Sequence, residues 1–349
     1  MSRAALDAAA GIAAQLLEPL RGRAIHISGA SGFLAANLVA LLHEADRAGD
    51  LGLRLYASAR RPVADVALFE FLEVTPEVVW EVAPVERAAL PSEPGLIAVH
   101  AASFGAPKDY LREPVATFRA NTDGLVEVFA QAARHRAGHV VYFSSAEVYG
   151  QPPAAAIPTG ERFAGGPDLG SPRSIYAESK RMAEVLGVTL SAEYDLPFTA
   201  VRPFNLYGPG QRLSDGRVPL EFMRLAVEQG AVELAGDGTP TRSPCFVFDG
   251  LLQVVACLSP ATETRAYNIG DPTKELTMGE LARRCAAVAG LDAEAVGMAA
   301  EPANAGLARA VPDVSAVMAL TARAPAPFTP LDDGLRALRS WVQWAGVHA

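Results

Sequence analysis

Lysine is nearly missing from this chain of 349 residues: only Lys108, Lys180 and Lys274 occur, so 27 of its 30 basic residues are arginine. Wherever a positive charge alone suffices, the protein uses the planar guanidinium, and a lysine marks a place that needs a compact ammonium. Cysteine is equally sparse. Cys245, Cys257 and Cys285 are odd in number and show no Cys-x-x-Cys spacing, which argues against a disulfide framework or a zinc site and leaves them as small core residues. His135 and His139 are four apart, as a metal pair on a helix would be, but Gly138 ends that helix, so no metal is expected. Positive charge is in deficit overall. A formal net charge of −9 argues against nucleic acid or a membrane surface as partners, because both need a concentrated basic face. No apolar run reaches the roughly 18 residues of a spanning helix. The N-terminal MSRAALDAAAGIAAQLLEPL lacks a basic cluster and is interrupted by Asp7 and Gln15, so it reads as an amphipathic helix docked on the body rather than a secretion signal. A cytoplasmic location is expected.

What the chain has in quantity is core-forming material, at 50% hydrophobic and 20% charged residues. Apolar runs of strand length recur at 23–28, 53–59, 78–82, 96–103, 139–145 and 198–204, with helical patterns at 33–46, 114–135 and 174–193. Such alternation predicts βαβ units and an α/β fold, a Rossmann-type doubly wound parallel sheet, because near-continuous Val, Ile, Leu and Phe implies strands covered on both faces. Beyond about residue 210, Gly and Pro become frequent and the elements shorten. The expected organisation is an N-terminal helical extension (1–22), a dinucleotide-binding domain (23–208) and a smaller α/β substrate-binding lobe (209–349) that crosses back to the first domain.

Directly after the first strand comes SGASGFLA, with Gly29 and Gly32 opening a helix. Glycines there let the backbone turn tightly against a pyrophosphate, and the helix start offers unpaired N–H groups. An acidic residue usually ends the second strand and binds the ribose hydroxyls of NAD. Here that strand runs into Ala59, Arg60 and Arg61, which favours a 2′-phosphate and leaves NAD and NADP both open. After the fifth strand, SSAEVYG supplies Ser145 and Glu147, and the next helix carries Tyr176-x-x-x-Lys180. Residues four apart share a helix face, so the ammonium can lie beside the phenol. A phenol of pKa about 10 becomes a usable base only where nearby positive charge stabilises phenolate.

The combination of SGASGFLA, HAAS after the fourth strand, SSAEVYG, YAESK and RPFNLYGPGQR resembles the extended short-chain dehydrogenase/reductases that modify nucleotide sugars, over residues 23 to 345. HAASFGAPKDYLREPVATFRANTDG, LSDGRV and GDGTPTRSPCFVFDG look most like the UDP-glucuronate decarboxylases. By this resemblance Ser145, Glu147, Tyr176 and Lys180 are catalytic. Gly29, Ser31, Gly32, Phe33, Leu34, Arg60, Ala101, Ala102, Ser103, Tyr176, Lys180 and Pro203 would contact the cofactor, for which the resemblance puts NAD in front. Tyr110, Asn205, Arg212, Arg217 and Arg242 would hold a nucleotide-diphosphate sugar, the arginines neutralising the diphosphate. Asn121 would be a structural residue or a water anchor. Related enzymes commonly dimerise through the helices that correspond to 114–135 and 174–193, which implies a homodimer.

The resemblance also implies oxidation of the sugar 4-hydroxyl as the first step. A simple 4-epimerase needs no further acid or base, whereas loss of carbon dioxide or of water needs chemistry at carbon 5, and Glu147 is placed for it. Decarboxylation therefore leads, with 4-epimerisation and 4,6-dehydration as alternatives. A non-catalytic cofactor-binding scaffold or sensor would be expected to have a broken Ser–Tyr–Lys set, and here the set is intact.

Overall fold

Period-2 alternation along the strands divides the core in two. In the computed structural model, which describes residues 2–260, 265–299 and 308–348, Ala24, Ala98, Val140, Tyr142, Phe198 and Ala200 pack on one face of a sheet. Ile25, Ile27, Ile97, Val99, Val141, Phe143 and Val201 pack on the other. The strands are β1 (Ala24–Ser28), β2 (Arg54–Ala59), β3 (Val79–Val82), β4 (Ile97–His100), β5 (His139–Phe143), β6 (Phe198–Pro203) and β11 (Arg265–Ile269). Their order is β11-β6-β5-β4-β1-β2-β3, and every pair is parallel. The order reverses between β1 and β4, the switch point where such sheets hold ligands. Three small sheets lie outside it: β7 (Leu206–Tyr207) with β10 (Cys245–Phe246), β8 (Val232–Ala235) with β13 (Val296–Ala299), and β9 (Thr241–Arg242) between β12 (Leu276–Thr277) and β14 (Arg309–Ala310).

The expected N-terminal helix forms as α1 (Ser2–Leu17), and its Leu6, Ala9, Ala10, Ala13, Leu16 and Leu17 are buried at three- and four-residue spacing. It docks on α2 (Phe33–Gly49) and α9 (Val247–Ala256). Short helices α3 (Ala67–Phe71) and α4 (Pro107–Arg112) precede α5 (Pro114–Asn121), α6 (Asp123–Arg134) and α7 (Ser174–Tyr194), and these last three cover the opposite face. The helical pattern over 114–135 is thus realised as two helices. Thr122 separates them, its hydroxyl bonding back to Phe118 O at 2.9 Å, a bond that bends helices. Elements α8 (Leu220–Gln229), α10 (Met278–Ala289) and α12 (Leu331–His348) pack together, and α11 (Ser315–Thr321) lies against α9 and β11. No helix among the described residues is long and apolar enough to cross a membrane. All three cysteines are buried. His139 lies on β5 with its ring between Leu258 O and Thr199 Oγ1, away from His135 at the end of α6.

Candidate active site

At the end of β1 the chain turns through Gly29, with φ 72° and no room for a side chain: a Cβ there would lie 2.5 Å from Ala102 Cα. Ala101 N–H in turn reaches back to Ser28 O at 3.3 Å. The loop Ala101–Ser103 therefore closes over the glycine turn, which is why β4 ends at His100 rather than at 103. Gly32 caps α2 without a side-chain partner, leaving the first N–H groups of that helix open. Ser103 Oγ is buried with no hydrogen-bond partner among the described residues. A close turn, an uncapped helix start and an orphaned hydroxyl fit the pyrophosphate of a dinucleotide. Ser31, Phe33 and Leu34 border this turn and are half-buried, and Pro203 closes β6 two strands away from β4.

One strand further on, Ser144 N–H bonds Val201 O at 2.8 Å, and β5 gives way to a short turn capped by Ser145, whose Oγ accepts the Glu147 N–H at 3.2 Å. Helix α7 brings Tyr176 and Lys180 to this point. Its register is held where Ser179 Oγ accepts from Asn121 Nδ2 at 2.8 Å and donates to Tyr176 O at 2.8 Å. Asn121 thus helps fix the helix, while its Oδ1 is buried with no hydrogen-bond partner among the described residues. The Lys180 ammonium donates to Phe143 O at 2.6 Å and stands 5.7 Å from the Tyr176 ring centre. It lies beside the phenol's ring, and its hydrogen bond goes to the strand. Burial pulls Lys180 down to about 7, against the charge of Glu184. Burial, reinforced by the charge of Glu147, pushes the Tyr176 phenol up to about 12, while Arg217 and a hydrogen bond from Ser145 pull the other way. Unaided, then, the phenol stays protonated.

Tyr110 is fully buried and stacks on Tyr176, ring centres 5.1 Å apart and planes 13° from parallel. Glu147 is half-buried between them and two cations. Burial raises its carboxyl, and the charges of Arg217 and Arg173 oppose the rise. The three arginines expected at the diphosphate differ in their surroundings. Arg217 lies over Gly105, and its charge acts on both Glu147 and Tyr176. Arg212 is exposed and held by Asp109 and Asp215, so its charge is already matched. Arg242 is half-buried, bonds only Thr241 O among the described residues, and has its pKa lowered by burial. Asn205 Nδ2 reaches Ala310 O at 3.5 Å, and Ala310 is the register partner of Arg242. Asn205 and Arg242 therefore both border Ala310 on β14.

Two features escaped the sequence reading. Arg173 stands just before α7, three residues ahead of Tyr176, so helical spacing alone puts both on one face. Glu184 follows Lys180 by four residues on the same helix. It accepts from Ser144 Oγ at 2.5 Å and holds Arg202 through two bonds of 2.9 and 2.5 Å. Arg202 continues to Tyr149 OH at 2.7 Å, and that hydroxyl to Asn268 Oδ1 at 2.6 Å.

Residues 25–270 match the sequence model of the NAD dependent epimerase/dehydratase family. Two relatives from Arabidopsis thaliana are UDP-glucuronic acid decarboxylase 3, 35% identical over 55% of this chain and 56% of the relative, and UDP-glucuronic acid decarboxylase 5, 31% identical over 74% and 72%. The match to the first thus spans little more than half of that protein's length. A dTDP-glucose 4,6-dehydratase from Streptomyces venezuelae, solved with NAD bound, superposes with a TM-score of 0.77 at 21% identity, over 93% of this chain and 98% of the other. At that identity the likeness speaks for the fold. With 246 consecutive positions under the family model and a relative matched over most of both chains, this protein belongs to the NAD dependent epimerase/dehydratase family.

Proposed function

We propose that the protein modifies a nucleotide-diphosphate sugar by transient oxidation at carbon 4, and that a UDP-glucuronate-type sugar acid then loses carbon dioxide. The observation that carries the decarboxylase reading is that the positive charges of Arg173 and Arg217 both act on Glu147 and on Tyr110, which stacks on the Tyr176 phenol. Neither arginine has a carboxylate in ion-pair distance among the described residues. Two guanidinium groups that share a single carboxyl, Glu147, at this end of the site suit a sugar that carries its own carboxylate, and the two relatives are named for such a substrate.

Bound oxidised nicotinamide supplies the acceptor for the carbon-4 hydride and the positive charge that lowers the phenol. Tyr176 then takes the proton of the 4-hydroxyl, with Ser145 sharing that hydrogen bond. The resulting 4-ketone makes the sugar acid a β-keto acid. Its C5–C6 bond breaks, carbon dioxide leaves, and the electron pair enters an enolate over C5, C4 and O4. Glu147, its carboxyl raised by burial, would return a proton to carbon 5, and return of the hydride to carbon 4 with the Tyr176 proton to O4 then leaves a pentose product lighter than the substrate by carbon dioxide alone. Incubation with UDP-glucuronate and either NAD or NADP tests this: release of carbon dioxide, with a nucleotide product lighter by that mass, is expected. A 4-epimer formed without gas would establish the epimerase reading instead, and an untouched substrate with both cofactors removes the proposal.

We further propose a homodimer joined through α5, α6 and α7. Val115, Phe118, Val126, Met182, Val185 and Val188 project from these helices into solvent. Side chains of this kind are seldom left clustered on a monomer's surface.

A further inference from the structure

The end of β2 is where a dinucleotide's adenosine ribose meets the protein in this topology, and NAD-specific sites put a carboxylate there to accept from the ribose hydroxyls. This chain has none. Ala59, the last residue of β2, is 3% exposed, and Arg60 and Arg61 follow it. Glu81, the acid opposite Ser58 in the β2–β3 register, is turned to accept the Ala89 N–H at 2.9 Å. The two arginines are held in place. Arg61 Nη2 donates to Ser31 O at 2.9 Å, inside the glycine turn, while its own carbonyl accepts from Trp80 Nε1 at 3.0 Å. The Arg60 guanidinium sits 4.6 Å from the Phe104 ring centre, on the loop that closes over Gly29. Ion pairs are frequent among this protein's arginines, including Arg54 with Glu93 at the start of the same strand, yet neither Arg60 nor Arg61 has a carboxylate partner among the described residues.

Resting on the reading of the β1–α2 turn as a dinucleotide site, we propose that Arg60, Arg61 and the Ser31 turn form a subsite for a 2′-phosphate, so that the protein binds NADP more tightly than NAD. Two unmatched guanidinium groups suit a doubly charged phosphate, and the ribose hydroxyls of NAD meet no acceptor carboxylate there. Arg60 lies against Phe104 and Arg61 spans to the turn, so both side chains are fixed at the end of β2.

Calorimetric titration of the protein, freed of nucleotide, with NADP and with NAD reads this directly, and adenosine 2′-phosphate against adenosine 5′-phosphate isolates the ribose end. The expected result is NADP binding at least about tenfold more tightly than NAD, with the difference shrinking as salt is raised. The double variant Arg60→Ala, Arg61→Ala should lose that preference while NAD affinity stays within about threefold, and Arg60→Asp should move preference toward NAD. Equal or tighter binding of NAD by the unaltered protein overturns the subsite and leaves the proposed reaction standing. The same holds if the double variant weakens both cofactors alike. Binding of neither dinucleotide overturns both.

Discussion

Lys180 answers two opposed demands. The proposed chemistry needs an ammonium near the phenol, yet at 2% exposure the side chain has given up its water for one carbonyl, and burial lowers it to about 7 from 10.5. A lysine depressed in the folded state adds stability that is complete above the unfolded value and is lost as pH falls through the folded one. Between pH 7 and 9.5 the free protein should therefore grow more stable relative to Lys180→Met, by at most about 1.4 kcal/mol per pH unit. Urea midpoints of the two proteins across that window test it, and parallel profiles would sink it. The scarcity of lysine made this residue conspicuous in the sequence; its bond to Phe143 O depends on how closely α7 approaches β5 and is written in no local pattern. For Tyr176→Phe, turnover should fall about 10²- to 10⁴-fold, the range of a lost general base. Dinucleotide affinity should change little, and a variant that keeps its rate would remove Tyr176 from the proton path.

Elements with strong periodicity were legible, and those shaped by tertiary contact were not. Six strands and the three long helical patterns of the first two-thirds could be read from apolar spacing, but the break at Thr122 comes from one hydroxyl's choice of acceptor, and β4 stops early because Ala102 must meet Gly29. Strand β11 joins the sheet beside β6 from the last third of the chain, a pairing that sequence distance conceals. It also completes the polar chain Ser144–Glu184–Arg202–Tyr149–Asn268, which ties β5, α7, β6 and β11 together beside the Ser145–Glu147 turn. Glu184 and Arg202 are 15% and 12% exposed, so removing either leaves a part-buried charge without its partner. Glu184→Gln and Arg202→Met should each cost about 3–5 kcal/mol. The pair Glu184→Leu, Arg202→Met should recover much of that loss, because both charges leave together. Additive losses in a chemical-denaturation cycle would show instead that the two residues act separately.

Across the whole molecule, one apolar core runs without interruption from α1 through the sheet to α8, α10 and α12, which explains why an alanine-rich N-terminal segment is helical and docked. The second core, under α5, α6 and α7, is smaller, and its covering helices have two apolar sides. Inward, α7 buries Tyr176, Lys180, Ala183, Gly187 and Leu190. Gly187 allows the closest approach, since a Cβ there would lie 2.2 Å from the Phe198 ring. Outward, Met182, Val185 and Val188 repeat every three residues, with Val185 61% exposed. In the proposed homodimer a second copy of the same surface, turned by a two-fold axis, would cover the outer apolar side of α5, α6 and α7 of each chain at once. Light scattering on the eluting protein should therefore give twice the chain mass. Val185→Glu would set like charges against each other across that axis and should yield the single-chain mass at micromolar concentration. Because Val185 points away from Tyr176 and Lys180, the variant should still bind dinucleotide. A single-chain mass for the unaltered protein would leave this apolar face without the partner its chemistry calls for.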